Sequence, residues 1–533
     1  MIMNRSIKKI IHTRYFRYAV FLFISTIYFF LLGYNEVATK GPYSQHIYRQ
    51  SDSYAFALNY YYEKNSFFEP SILFVGEDKG GKTVSEFPIL YFITAKIWNI
   101  TGVTPFIPRF INFLILCVGL FFLYKLAFEF LDDHFWSILV SLSIAASPLI
   151  GYYAFNFLPN IPALGFSLIA SFYFFKYLKS EQSVPLIFST IFFALGGLLK
   201  ISSLFAFLAL NAMFFILNFR QFKTNPKAII KQIASIFFVL GVLISWFLFT
   251  KSYNAKNLGG IFNQSILPLW NLSSKQVHSI LDVIYNNTLI YFFNPYALGL
   301  LIVILIASII YWKKVNKQLL VVTSVLLTGT IMFLVLFFGG LDYHEYFLID
   351  VTIIIPFILL TFLSLIKNTS NRFFKLGWIK TAAAVLLLFM LNYNAILTRM
   401  RFNPNDSMVK KNLPLDKKIL DYWEYRHYDW EVHQKKYEGI VPYIRGLGIK
   451  FEDKVISIPD ETPNVSLTLL QQKGFTDYHY SANYQGVSQT KRKIILGAKY
   501  MIIEGKENLE RKDVAPYLKY KIGEYNGILI YRL

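Results

Sequence analysis

The sequence predicts a polytopic α-helical membrane protein of about 11 transmembrane helices. Interfacial helices are expected in its first outer loop, and a small C-terminal α/β domain outside the bilayer. Three observations predict this. Only 16% of the 533 residues are charged and 55% are hydrophobic, where a soluble chain carries roughly a quarter charged residues. Apolar runs long enough to cross a hydrocarbon core, about 17–25 residues each, recur through the first 400 positions. Beyond about residue 403 the chain turns soluble-like, with 22 Lys+Arg against 17 Asp+Glu over 401–533. The 53 Phe and 37 Tyr suit helix interfaces and head-group belts.

In chain order the spans fall at about 17–35, 105–130, 135–155, 160–177, 184–199, 201–219, 233–252, 295–312, 319–339, 347–366 and 381–397. The N-terminus is basic (Arg5, Lys8, Lys9, Arg14, Arg17) and then apolar without a small-residue cleavage site. It therefore reads as a retained span rather than a signal peptide. Cations follow the even-numbered spans: Lys176 and Lys179; Arg220, Lys223, Lys227 and Lys231; Lys313, Lys314 and Lys317; Lys367, Arg372, Lys375 and Lys380. The exception is the short acidic turn Leu131-Asp132-Asp133. Cations flank the cytoplasmic ends of spans, so the N-terminus is expected inside and the C-terminal domain outside a cell (inner or plasma) membrane. That placement also accounts for much of the net charge of +21. No nucleic-acid recognition motif accompanies the charge, and no nucleic-acid partner is expected. The single cysteine, Cys117, allows no intrachain disulfide.

The stretch 41–88 between the first two spans carries HIYRQSD (His46 to Asp52) and GKTVSEFP (Gly81 to Pro88). A buried transmembrane core needs no such loop. Two carboxylates, Asp52 and Glu86, stand beside cations and aromatics just outside the membrane. Carboxylates so placed suit proton abstraction from an acceptor, with cations holding an anionic lipid head group. Residues 51–63 read as an amphipathic helix capped near Ser51 or Asp52. Pro88 opens a second helix through Trp98. Both carboxylates would then stand at helix starts, where the local dipole favours ionisation. Both helices are too short to span and are expected in the interface.

In the last 130 residues, Val455-Ile456-Ser457-Ile458 and Tyr500-Met501-Ile502-Ile503 read as strands, and residues 465–473 as a helix. Asn526-Gly527 between two short apolar runs marks a hairpin. The division is thus 1–402 transmembrane and 403–533 extracytoplasmic. The latter carries no P-loop and no dinucleotide fingerprint.

Six short motifs fall on one face in order. They are Arg49-Gln50-Ser51-Asp52, Glu86-Phe87-Pro88, residues 105–109 ending in Arg109, Phe157-Leu158-Pro159-Asn160-Ile161-Pro162, residues 197–200 ending in Lys200, and Tyr343-His344-Glu345-Tyr346. Over roughly residues 10–400 the arrangement resembles the GT-C membrane glycosyltransferases, nearest the bacterial protein O-mannosyltransferase and lipid A aminoarabinose transferase types. The resemblance implies a polyprenyl-phosphate sugar donor and inversion by single displacement onto a lipid, glycan or protein acceptor. One departure is Ser53 after Asp52, where some of these relatives carry two adjacent acids.

Asp52 is the candidate base and Glu86 its partner, although either could merely stabilise a helix start. Arg49, Gln50, His46, Arg109, Asn160, Lys200, His344 and Tyr346 are candidates for binding substrate. Against that, Lys200 and Arg109 could snorkel, and His344 and Tyr346 could be interface anchors. No resident metal or cofactor is expected; a divalent ion bridging Asp52 and Glu86 is the one alternative. Two other functions fit less well. A flippase or transporter of lipid-linked glycans would place charges at mid-membrane, whereas the candidates here gather at one interface. A surface-polysaccharide polymerase or ligase would differ in donor.

Overall fold

A computed structural model describes residues 14–76, 80–219, 226–257, 261–262, 266–411, 417–478 and 489–533. Of the cations read as flanking spans, Arg5, Lys8, Lys9, Arg220 and Lys223 lie outside the described residues, as do short stretches of the 253–294 loop. The helices that build the membrane part and the first loop are α1 (Arg14–Leu31), α2 (Ile47–Tyr62), α3 (Ile89–Thr101), α4 (Phe106–Leu131), α5 (His134–Ala145), α6 (Pro148–Ala154), α7 (Asn160–Ser180) and α8 (Ser183–Leu199). They continue with α9 (Ile201–Asn218), α10 (Pro226–Lys256), α11 (Ser274–Phe292), α12 (Pro295–Ile310), α13 (Lys317–Leu336), α14 (Glu345–Thr369) and α15 (Gly377–Phe402).

Seven of these, α4, α7, α9, α10, α13, α14 and α15, are long and apolar enough to cross a membrane. Nine crossings result if the pairs α5–α6 and α11–α12, bent by 74° and 84°, count as one each. The expected eleven include α1 and α8 as well, which are apolar but shorter. The straight third span expected at 135–155 is therefore broken, as is the approach to the eighth. In both cases a proline, Pro148 or Pro295, stands at the first position of the second piece, where a missing N–H costs nothing.

A broken helix frees carbonyls that lipid cannot satisfy, so protein must do it. Ala145, the last residue of α5, accepts from Tyr28 Oη at 2.8 Å and from Asn394 Nδ2 at 2.7 Å. Ser147 Oγ, between α5 and α6, donates to the carbonyl of Phe292 at 2.5 Å, the end of α11. The two breaks thus close against each other. The peptide after α6 is held from α4: Arg109 donates to Phe155 O (2.7 Å), and Asn112 to Asn156 O and Leu158 O (2.7 and 3.0 Å).

The two ends of the bundle differ. At one end the connections after α4, α12 and α14 meet. Lys380 pairs with Asp133 at 2.5 Å, Lys367 donates to Phe130 O, and Asn368 to Lys314 O. The acidic turn that interrupts the run of basic connections is thus an ion-pair partner, and Asp133 also caps α5 through Trp136 N. At the other end lie α2, α3, the turns at 155–159 and 197–200, and the C-terminal sheet.

That sheet has strands β1 (Lys454–Ile458), β2 (Gly474–Phe475), β3 (Ala498–Glu504), β4 (Tyr520–Tyr525) and β5 (Ile528–Arg532), in the order β2-β1-β3-β5-β4. β1 is parallel to both β2 and β3, whereas β5 is antiparallel to β3 and β4, turning at Asn526-Gly527 as expected. Side chains alternate. Val455, Ile502, Ile528 and Ile530 join a core shared with α2 and α3, while Ile456, Met501, Ile503 and Leu529 fill the opposite face.

The first loop also enters the sheet. Phe74 pairs in parallel with Gly474, with Val75 N donating to Gly474 O (2.9 Å) and Gly474 N to Leu73 O (3.1 Å). Only glycine fits at 474, because a Cβ there would lie 2.1 Å from the carbonyl of Val455. Lys473 and Glu63 form an ion pair across the same junction. Consequently α2 is no interfacial surface helix. Eleven of its residues are buried, between α3 (Phe56 stacked on Tyr91) and the C-terminal part (Tyr62 stacked on Phe451 at 4.2 Å).

Candidate functional site

Helix α2 begins at Ile47, with His46 before it in the left-handed region (φ 56°). It starts earlier than the expected cap at Ser51 or Asp52, without a side-chain cap, and Gln50 in its first turn points inward. Gln50, 1% exposed, donates to the carbonyls of Tyr43 and Gln45, both at 2.7 Å. Asp52 therefore stands in the second turn, and Glu86 lies two residues ahead of the Pro88 cap of α3. Neither carboxylate owes its state to a helix start.

Their neighbours decide it instead. Both oxygens of Glu86 are occupied. Arg49 Nη2 donates to Oε1 at 2.6 Å, Tyr91 Oη donates to the same oxygen, and Ser85 Oγ donates to Oε2. Burial opposes ionisation of Glu86, but the Arg49 guanidinium overrides it and holds the group below the usual carboxylate range. Asp52 receives one hydrogen bond, from Asn464 Nδ2 to Oδ1 at 2.9 Å. Its Oδ2 has no hydrogen-bond partner among the described residues. Burial pushes Asp52 up to about 6, against the pull of Arg49 and of the Asn464 bond. One turn along α2, Ser53 Oγ lies 3.4 Å from Arg49 Nη1 and 3.2 Å from Tyr91 Oη.

Lys200 is brought to this pair by the backbone. Phe87 N donates to Leu198 O at 3.2 Å, tying the Glu86 segment to the α8–α9 turn. The Lys200 ammonium lies 5.0 Å from the Phe347 ring centre, within the fields of Asp350, Arg49 and Glu86. It makes no hydrogen bond among the described residues. Asp350 is held instead by Ser202 Oγ at 2.5 Å.

The start of α14 completes the wall. Glu345 accepts from His46 Nε2 and Arg401 Nη2, both at 2.5 Å, and from Tyr153 Oη at 2.9 Å. His46 rests edge-on against Tyr346 with ring centres 4.9 Å apart, and His344 is 5.4 Å from Tyr346. Tyr346 lies within the fields of Arg49, Glu345, Glu86 and Asp52. His344 Nδ1 is buried without a hydrogen-bond partner.

Seven candidates thus converge: Asp52, Glu86, Arg49, Lys200, His46, His344 and Tyr346. Three have donors engaged by backbone carbonyls. Gln50 is spent on carbonyls, and Asn160 Nδ2 holds the carbonyl of Tyr346 at 3.4 Å. Arg109, 0% exposed, donates to Phe155 O, Lys40 O and Gly41 O, its guanidinium 4.2 Å from the Phe157 ring centre. Among the described residues no three of His, Cys, Asp and Glu gather to hold a metal ion. The Glu86 oxygens that would face a bridging ion are engaged by Arg49, Tyr91 and Ser85.

Residues 85–246 match the family model of dolichyl-phosphate-mannose-protein mannosyltransferases. The whole chain superposes on the crystal structure of ArnT from Cupriavidus metallidurans in the apo state with a TM-score of 0.58 at 12% identity, covering 96% of this chain and 97% of that one. With ArnT bound to undecaprenyl phosphate the TM-score is 0.57 at 10% identity, over 98% of each chain. The chain shares the fold of ArnT. Among curated proteins none matches it by sequence.

The match to the mannosyltransferase model begins at Ser85, so it contains Glu86, Arg109, Asn160 and Lys200 and leaves Asp52 outside. The groups that sequence reasoning missed fall into two kinds. Ser85 and Glu345 stood inside quoted stretches, and Ser53 and Tyr91 lie just beyond them; their side-chain bonding gave no local signal. Arg401 and Asn464 come from the far end of α15 and from the C-terminal sheet. No pattern in the chain ties either to the first loop.

Proposed function

We propose that this chain is an integral-membrane glycosyltransferase that moves a sugar from a polyprenyl-phosphate donor to a lipid, glycan or protein acceptor, with inversion. The observation that carries the reading is the asymmetry of the two carboxylates: Glu86 fully engaged and ionised, Asp52 with one oxygen free beside a cluster of cations. In a single displacement the acceptor oxygen attacks the anomeric carbon while the bond from that carbon to the phosphate oxygen breaks. The acceptor's proton passes to Asp52 Oδ2, and the bonding electrons leave with the phosphate. Lys200 and Arg49 neutralise the departing charge, with His344 and Tyr346 as donors at its edge. Glu86 keeps Arg49 in place. The ArnT structure bound to undecaprenyl phosphate supports a carrier of that class.

The same reading places eleven spans with the N-terminus cytoplasmic, and residues 403–533 as an extracytoplasmic domain. Tyr343, 72% exposed, lies at the site end and Arg372 is exposed at the basic end. A cysteine at Tyr343 should react with an impermeant thiol reagent in spheroplasts, and one at Arg372 should not. The reverse pattern would invert the orientation and remove the site from the outer face.

The function is tested by incubating purified full-length protein with radiolabelled undecaprenyl-phosphate sugars, mannose and aminoarabinose first, and candidate acceptors. Transfer by wild type and its loss in Asp52→Asn is the expected result. Equal transfer by both would overturn the role of Asp52.

A further inference from the structure

The C-terminal part reaches Asp52 by a hydrogen bond from Asn464, and Tyr478 lies within the field of the same carboxylate, which also feels Arg49 and Glu86. Asn464 ends the loop from β1 and precedes a short helix, α16 (Val465–Leu470). It is 1% exposed, and its side-chain amide is fixed at both ends. Oδ1 accepts the backbone N–H of Phe74 at 3.2 Å, and Nδ2 donates to Asp52 Oδ1 at 2.9 Å. A backbone N–H can only donate, so the amide has one orientation and its NH2 must face the carboxylate. Phe74 cannot drift, because the residues on either side of it are hydrogen-bonded into the sheet at Gly474. Nor can Asn464: its carbonyl accepts from Thr468 N at 2.8 Å, and Thr468 Oγ1 lies 3.4 Å from the carbonyl of Ser51 on α2.

We propose that Asn464 is a positioning residue of the site, fixing the rotation of the Asp52 carboxylate so that Oδ2 faces the acceptor. A carboxylate with one anchored oxygen presents the other in a single direction; without the anchor it turns about its last bond. The same bond favours the charged form of Asp52, against the burial that disfavours it. Two segments separated by 412 positions in sequence therefore build one base. This rests on Asp52 as the base, and the experiment keeps the two ideas apart.

A hydrophobic carbodiimide modifies protonated buried carboxyls, so its pH profile at Asp52, read by peptide mass spectrometry on the full-length protein, reports protonation without any sugar donor. Wild type should lose labelling with a midpoint near pH 6. Asn464→Leu, which removes the donor, should move the midpoint up by about one pH unit. Asn464→Asp can still accept from Phe74 N–H and keeps the size. It sets a second carboxyl against Oδ1, so the pair shares a proton and the Asp52 midpoint should also rise by about one unit or more. If the leucine variant fails to fold, the aspartate variant alone decides. Unchanged midpoints in the folded variants overturn the positioning role, even if Asp52→Asn abolishes transfer. Raised midpoints alongside an active Asp52→Asn would keep the placement of Asn464 and overturn only the assignment of Asp52 as base.

Discussion

Glu86 and Asp52 are two carboxylates beside one arginine, and they differ in how many donors reach them. Glu86 receives three hydrogen bonds over its two oxygens. Asp52 receives one. A carboxylate with both oxygens engaged is a structural anion; one with an open oxygen, pushed upward by burial, accepts a proton. Both are carboxylates within the field of Arg49, so their hydrogen-bond neighbours separate the roles.

The largest expected effect comes from Asp52→Asn, which keeps the shape but cannot take a proton. Loss of a general base lowers rate by about 10²–10⁴-fold. Its stability should not fall. The folded value near 6 lies above the ordinary carboxylate value, so ionising Asp52 costs stability as pH rises through that interval, and the asparagine removes the cost. In wild type, turnover should fall on the acid side with a midpoint near pH 6, where Asp52 becomes protonated. A turnover profile flat from pH 5 to 8 would break the comparison.

Glu86→Gln should behave in the opposite sense, costing more stability than chemistry. It leaves the Arg49 guanidinium in a part-buried site without its counter-charge. Breaking a buried pair costs about 3–5 kcal/mol, less here because Arg49 is 20% exposed. The thermal midpoint should drop clearly, while turnover of the folded fraction falls less than in Asp52→Asn. If Glu86→Gln is as inactive as Asp52→Asn and as stable as wild type, the two acids share the proton and the asymmetry fails.

Lys200 sharpens the contrast from the donor's side. Its ammonium is unspent, unlike the guanidinium of Arg49. Lys200→Met should raise the apparent KM for the polyprenyl-phosphate donor by roughly tenfold or more, the scale of a charge-assisted hydrogen bond. Lys200→Arg should restore most of it, because charge rather than shape is required. Equal donor kinetics for wild type and Lys200→Met would remove Lys200 from the phosphate.

How much of this was legible depended on whether the signal was local. Long apolar runs gave α4, α7, α9, α10, α13, α14 and α15, because length and composition are enough to name a span. Pro148 marked one break, yet the run about it is so apolar that continuity looked the simpler reading; Pro295 was legible as the start of a span, but the helix that precedes it was not. The pattern Val455 to Ile458 and the Asn526-Gly527 turn gave the sheet its strands. The start of α2 was misplaced because no capping side chain marks it; the chain enters the helix through His46 in the left-handed region. The two acids were legible as residues near a membrane, but their division of labour was not, since Asn464, Tyr91 and Ser85 act through side-chain contacts that leave no trace in spacing. Strand pairing between residues 73–75 and Gly474 was illegible for the same reason, and with it the union of the first loop and the C-terminal sheet.

The smallest expected effect on catalysis belongs to Arg109, and it separates structural cations from functional ones. Lys200 and Arg109 looked alike in sequence, each a cation at the end of an apolar run. Arg109 is wholly buried and donates to three backbone carbonyls, two of them at Lys40 and Gly41 leading into the first loop and one at Phe155 after the broken helix. Arg109→Met should therefore leave the donor KM of the folded protein near the wild-type value while lowering the thermal midpoint, each orphaned group costing about 1–3 kcal/mol. Lysine should restore little, because one ammonium cannot span carbonyls at both ends of a fork. Thermal melts and donor titrations on Arg109→Met and Lys200→Met, made side by side, should give opposite patterns: stability lost with binding kept, and binding lost with stability kept. A raised donor KM in a fully stable Arg109→Met would place a second cation on the phosphate and merge the two classes.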